Sequence, residues 1–492
     1  MRKAVTRSVA IGIAGLFLIV LIGIAVDPWR TPAYFWDLRA FYRGGSAYLH
    51  GHSPYPAASL AALVNKQNFV YPLPIAALFA PLSLLPFAAG AALFAALNLA
   101  ALALTLWVLD VRDPRCYAVA FLALPSQYAL KLGTIMPLLA LLLALAWRFR
   151  DRARLAVPIL ALLVLAKVFL WPIGLWYLAT RRLRTALGAG ALTLALVVLS
   201  ALPLGFGPLR AYPHLLGVLS GFESSFSWSL SSLGLALGLA PSSASVFQYA
   251  IGAVVLAAMM IVARRGDPAS SFSLAVGASL ALSPIVWGHY FVLCLVPLAL
   301  RERRFSALWL ATAWVLPDTI SFGALRGPLI AAALVGCALQ CSVAGRLRLP
   351  LVPSVAVACM VGAALFFAGG SVARSALPRS VALTGPGVAN GAANVRLGDD
   401  RVCWTVWTQG VSGAGLRLVF VAPGPDVVLS SRLELRDGRV SGCRTDRRAR
   451  SWRAAANAGR FADRLAVVAP SGRTVLEGEL VDPVEARPAT RG

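Results

Sequence analysis

The chain has 492 residues, 59% of them hydrophobic and 13% charged, with a mean hydropathy of +0.75. A soluble globule carries about 25% charged residues, so composition excludes an ordinary soluble domain and points to an integral membrane protein. Nor does the net charge of +25 signal a nucleic-acid partner, because the basic residues cluster in short loops between apolar runs of spanning length.

Charge also divides the chain. Residues 1–370 hold 27 Lys/Arg and 9 Asp/Glu, whereas 371–492 hold 18 and 11, which is 29 charged residues in 122. The first part reads as a membrane body and the second as a separate polar domain.

Taken in chain order, an apolar run over 9–26 follows Arg2, Lys3 and Arg7. It has bilayer length and no convincing small-residue cleavage site, so it reads as an uncleaved first helix with a cytoplasmic N-terminus. A first outer loop then covers 27–86. Its second part, YPLPIAALFAPLSLLP, is punctuated by prolines and predicts helices that lie along the interface or partly re-enter. A span over 87–109 returns to Arg112 and Arg115. One helix pair turns outside at 131–134 and returns to Arg148 and Arg150; another turns at Lys167 and returns to Arg181, Arg182 and Arg184.

A span over 187–203 opens a second outer loop, and a helix over 246–262 leads to Arg264 and Arg265. The next pair meets outside at Trp287–Tyr290, another turns at 318–326, and a last span over 351–367 carries the tail outside. The trace gives about thirteen transmembrane helices, with 19 basic residues of the body on the cytoplasmic side and 8 outside.

The tail alternates strand-like runs with Gly, Pro and Asp turns: VCWTVWTQ, LRLVFVAP, VVLSSRLELRDGRV, RLAVVAP and RTVLEGELV. This predicts a small β-rich extracytoplasmic domain over 371–492. Cys403 and Cys443 would then face an oxidising compartment where a disulfide between them can form, while the other five cysteines sit in apolar runs and read as core residues.

Acids are scarce in the body, and those at outer loops are the candidates for chemistry. By this trace four lie outside: Asp27, Asp37, Glu223 and Asp318. Asp37 lies in FWDLRAFYRGGSAYLHGHSPYP, where helical spacing puts Ala40 and Phe41 on its face. Two readings stay open, a carboxylate aimed into a cavity and an acid paired with Arg39 or Arg43 at the headgroups. Lys167 interrupts ALLVLAKVFLWP and needs either an anionic counter-ion or a route to the interface. His289, between Trp287 and Tyr290, reads as an interfacial aromatic cluster or as a ligand to substrate. His50 and His52 are spaced poorly for a metal, and no metal or cofactor is expected. Walker, dinucleotide, HExxH and GxSxG motifs are absent, so no nucleotide-driven chemistry is indicated.

The order of these motifs resembles glycosyltransferase family 87, the polyprenol-phosphate-mannose-dependent mannosyltransferases of bacterial membranes. The resemblance rests on D-L-x-x-F-Y at Asp37–Tyr42, L-x-G-x-x-P-Y at Leu49–Tyr55, F-x-Y-P at Phe69–Pro72, Asn98, Lys167 with Pro172, and S-P-x-x-W-x-H-Y at Ser283–Tyr290. It covers about residues 36–300.

It implies a GT-C-like, all-α polytopic body and an inverting hexosyl transfer, of mannose, from a polyprenyl-phosphate donor to a glycolipid or glycan acceptor of the cell envelope. The reaction would take place at the outer face of the bacterial plasma membrane. Asp37 would be the general base, with Lys167, His289, Arg39, Tyr42, Trp287 and Tyr290 binding donor phosphate and substrate. One departure stands out: where the family often has G-Q-x-N on an outer turn, this chain has Gly133, Thr134 and Met136. The alternatives are a transporter or flippase for lipid-linked sugars and a non-enzymatic envelope-assembly protein.

Overall fold

A computed structural model describes residues 35–309, apart from 64–67, 224–226, 238, 240 and 307, together with the strands and adjoining turns of a C-terminal sheet between 379 and 479. The expected first helix over 9–26, the pair turning at 318–326 and the last span over 351–367 lie outside the described residues, as do Asp27 and Asp318.

The body is helical, and prolines set much of its punctuation. The helices are α1 Trp36–Leu49, α2 Leu60–Leu63, α3 Leu73–Phe79, α4 Phe87–Val108, α5 Pro114–Leu122, α6 Leu124–Leu132, α7 Met136–Arg148 and α8 Ala153–Ala166. They continue with α9 Trp171–Ala179, α10 Leu183–Ala201, α11 Gly207–Glu223, α12 Leu230–Ala236, α13 Pro241–Arg264, α14 Pro268–Leu282 and α15 Leu295–Arg301. Proline occupies the first turn of α3, α5, α6, α7, α9 and α14, where its missing N–H costs nothing. Asp113 and Asp267 cap α5 and α14 by accepting from the backbone N–H groups of Arg115 and Ser270.

Among the described residues, Phe87–Val108, Leu183–Leu204 and Ser242–Arg264 are long and apolar enough to cross a membrane, and α6 with α7 makes a fourth if that bent pair is one span. In the second and third of these only 17% of the most apolar stretch is buried inside the protein. Outward residues such as Leu187, Leu194, Val246 and Val254 are each about two-thirds exposed, a surface that lipid covers and water would not tolerate. The chain is a membrane protein.

One expected span is broken. The run between Arg115 and Lys131 forms two nine-residue helices, α5 and α6, because Pro125 removes the hydrogen bond that would join them. The turn expected at Lys167 is present: α8 stops at Ala166 and the chain passes through extended Lys167 and a 3-10 turn, Val168–Leu170, before α9. The proline-rich stretch gives the seven-residue α3 and a 3-10 turn, Leu82–Leu84, both too short to span.

The tail forms one eight-stranded antiparallel sheet: β1 Arg379–Thr384, β2 Asn390–Leu397, β3 Arg401–Gln409, β4 Arg417–Val421, β5 Val427–Arg432, β6 Arg439–Thr445, β7 Arg464–Val468 and β8 Thr474–Glu479. Their order across the sheet is β5-β4-β7-β8-β1-β2-β3-β6. One face, with Val381, Val395, Trp404, Phe420 and Val467 among its members, makes the domain's own core. The alternation of strand side chains puts Ala392 and its cross-strand partner Trp407 on the other face, where Val218 of α11 packs against them. Backbone of α2 also lies against β1, β2 and β3. Cys403 and Cys443 face one another across β3 and β6 and form a disulfide.

Candidate active site

Seven segments of the chain surround one cavity of about 860 Å3. The first is the start of α1. Phe35 adopts a left-handed φ of 56°, donates its N–H to the Lys131 carbonyl at 2.8 Å and is fully buried. Directly beneath it, Gly133 ends α6 with φ 64°, where a Cβ would come within 2.8 Å of Phe35 and 2.9 Å of Leu38. This close seat fixes the first turn of α1 and aims Asp37 into the cavity. Asn98 secures the same turn from α4, donating Nδ2 to the Thr134 carbonyl at 3.0 Å, and Thr134 Oγ1 accepts from the Met136 N–H at the head of α7.

The Asp37 side chain makes no hydrogen bond or ion pair among the described residues. Enclosure by protein pushes its carboxyl up to about 6, and the positive charge of Lys167 works against that rise. The paired reading for Asp37 is thus not what the structure shows: Arg39 turns away to lie 4.4 Å above the Phe87 ring, and Arg43 donates to the Arg39 carbonyl.

Lys167 supplies the cavity's cation. The break after α8 projects its ammonium inward, where Nζ donates to Tyr290 Oη at 2.8 Å and stands 4.3 Å above the Tyr71 ring. Phe169 stacks on Tyr290 at 5.2 Å and holds that ring in place. A second break, between α14 and the 3-10 segment Gly288–Cys294, delivers Trp287, His289 and Tyr290. His289 is 4% exposed, its ring lies 5.5 Å from Tyr128, and Nδ1 is buried with no hydrogen-bond partner among the described residues.

Of the residues singled out in the sequence, Asp37, Lys167, Trp287, His289 and Tyr290 share this cavity. Arg39 and Tyr42 do not line it; Tyr42 packs edge-on against Phe87 at 5.1 Å on the other side of α1. His50 lies on the surface with Nδ1 against the Ser46 carbonyl. No group of three or more metal-ligating side chains occurs among the described residues.

The sequence alone assigns no role to Tyr71, whose ring receives the Lys167 cation, although it stands in the F-x-Y-P run. Glu223 is one of the four outer acids in the sequence reading, without a place in the site, and it lines the cavity from the end of α11. Helical spacing is the signal that could have found it, since Tyr212, Leu216, Leu219, Ser220 and Glu223 make one stripe of α11 along the wall.

In a comparison with known families, residues 69–286 match glycosyltransferase family 87. The chain carries a glycosyltransferase family 87 domain. No curated protein and no solved structure matches the chain. The family 87 match spans Tyr71, Lys167 and Glu223, while Asp37 precedes it and His289 follows it; the fold brings both back to the cavity of the glycosyltransferase domain.

Proposed function

We propose that the protein transfers a hexose, mannose, from a polyprenyl-phosphate donor to a hydroxyl of a cell-envelope glycolipid or glycan, at the outer face of the bacterial plasma membrane and with inversion. The observation that carries this reading is the convergence of Asp37, Lys167 and His289 on one cavity. Among the described residues, a carboxylate without a hydrogen-bond or ion-pair partner stands there near an ammonium and a buried imidazole nitrogen that lacks one.

In this mechanism the acceptor oxygen attacks the anomeric carbon of the donor sugar and gives its proton to Asp37. The bond from that carbon to the phosphate oxygen breaks, and polyprenyl phosphate leaves. Lys167 and His289 bind the departing phosphate, stabilising the charge that grows on it in the transition state. Tyr290 holds Lys167 in position through their 2.8 Å hydrogen bond. Because the leaving group brings its own activation, no nucleotide or ATP is required, which fits the lack of such motifs in the sequence. The family match favours group transfer over transport or a purely structural role.

The decisive measurement is turnover of radiolabelled polyprenyl-phosphate-mannose by purified protein. Asp37→Asn is expected to reduce transfer by about 100-fold or more, in the range of a lost general base. Full activity in a folded Asp37→Asn protein would sink the mechanism.

A further inference from the structure

Glu223 is the acid this mechanism leaves unused, and its surroundings are those of a sugar site. It ends the α11 stripe that walls the cavity, four residues after Leu219 and three after Ser220, and Trp287 and Tyr212 line the same space. Lys167 feels both carboxylates, Asp37 first and Glu223 second, so the cation stands within electrostatic reach of each. Tyr71 and Tyr290 are likewise influenced by both acids, Asp37 again the stronger. Both carboxylates therefore face one cavity, with the Lys167–Tyr290 pair within electrostatic reach of each.

One enclosed carboxylate suffices as base. A second one beside aromatic rings is suited to a different role, because carboxylate oxygens accept from the hydroxyls of a sugar while an aromatic face covers its C–H side. Tyr212 is held for this by its Oη hydrogen bond to the Val70 carbonyl at 3.2 Å and by stacking on Tyr55 at 5.1 Å.

We infer that Glu223 binds hydroxyls of a hexose ring in the cavity, and that its place on the α11 wall makes this the sugar-recognising side of the active site. The inference rests on the transferase reading above. The hydroxyls belong either to the acceptor or to the transferred sugar.

The test uses full-length protein in liposomes with radiolabelled polyprenyl-phosphate-mannose as donor and a total lipid extract of the host's own membranes as acceptor, comparing wild type, Glu223→Gln, Glu223→Asp and Asp37→Asn. Glu223→Gln is expected to raise one half-saturating concentration by about tenfold, the scale of one hydrogen bond to a charged group, with maximal turnover falling less. A rise confined to the extract assigns the hydroxyls to the acceptor; a rise confined to the donor assigns them to the transferred sugar. Glu223→Asp, which keeps the charge on a shorter arm, is expected to fall between wild type and Glu223→Gln, and it provides the reading if Glu223→Gln fails to fold.

Unchanged half-saturation for both substrates overturns the inference. So does a Glu223→Gln protein whose maximal turnover collapses at unchanged half-saturation, since that is the behaviour of a base. Failure of the transferase reading looks different: wild type transfers nothing from this donor, or Asp37→Asn is as active as wild type.

Discussion

At the scale of single residues, Asp37 illustrates how a site can be expensive to fold and useful once folded. Its carboxyl is raised to about 6 from an ordinary value near 3.8, first by burial and against the pull of Lys167. A base must be ionised, so activity is expected to rise with pH through an apparent pKa of about 6. Lys167→Met removes the cation that opposes the rise, so the limb should move above 6; a pH–rate profile of residual activity checks the direction. The same shift makes a stability claim. For an acid whose folded pKa lies above its unfolded one, stability falls as pH increases from the unfolded value to the folded one and stays lower beyond it. Asp37→Asn should therefore melt at or above the wild-type temperature at pH 7.5, with the gain disappearing at pH 4, in thermal scans of detergent-solubilised protein. Asp37, Lys167 and His289 are legible in the sequence because charge in an apolar chain is conspicuous. Tyr71 is not, since an aromatic residue in an aromatic-rich loop carries no mark of a role until a cation is seen above its ring.

At the scale of elements, the cavity depends on places where helices stop. Lys167 lies at the break between α8 and α9, His289 just after α14, and Asp37 on the first turn of α1 seated over the Gly133 turn. Hydropathy puts turns at 131–134, Lys167 and Trp287–Tyr290 but draws one full-length span between Arg115 and Lys131, because a window average smooths over the single Pro125. Gly133 gives the sharpest test. Alanine there must adopt the left-handed conformation and press a methyl group into Phe35 and Leu38. Gly133→Ala should cost about 1–3 kcal/mol in stability and, by displacing the turn that carries Asp37, lower turnover by about tenfold or more. Unfolding curves and turnover measured on the same preparation check both parts; a change in stability alone would show that Asp37 is held by other contacts.

At the scale of the whole molecule, the described residues form a helical body over 35–309 and a β sheet between 379 and 479, and the boundary read from charge near residue 370 lies outside them. Legibility of the strands is uneven. Five strand-like runs stand out in the sequence, one of which divides into β5 and the start of β6, whereas β1 and β2 carry no comparable signal. RSVALT is short, and NGAANVRL contains Gly and two Asn, residues that fit a strand poorly and are paired here by neighbours on both sides. Strand β6 stands at the sheet's edge, and its disulfide to β3 closes a separation of 40 residues. By loop-closure entropy such a link is worth about 2–4 kcal/mol. The Cys403→Ser/Cys443→Ser pair should accordingly lower the sheet's melting transition and expose β6 to proteolysis first, with limited digestion followed by mass spectrometry as the readout.

The contact of Val218 with Ala392 and Trp407 joins these scales. Helix α11 presents one stripe to the cavity and rests its other side on strands encoded some 170 positions later, a separation read from the numbering of Val218, Ala392 and Trp407. The order of synthesis therefore matters: a ribosome completes the helical body well before it makes the strands that brace the cavity wall. Assembly of the reaction chamber is a late event in the life of the chain, and a stop codon anywhere before β1 would leave the cavity residues in place but α11 without its support.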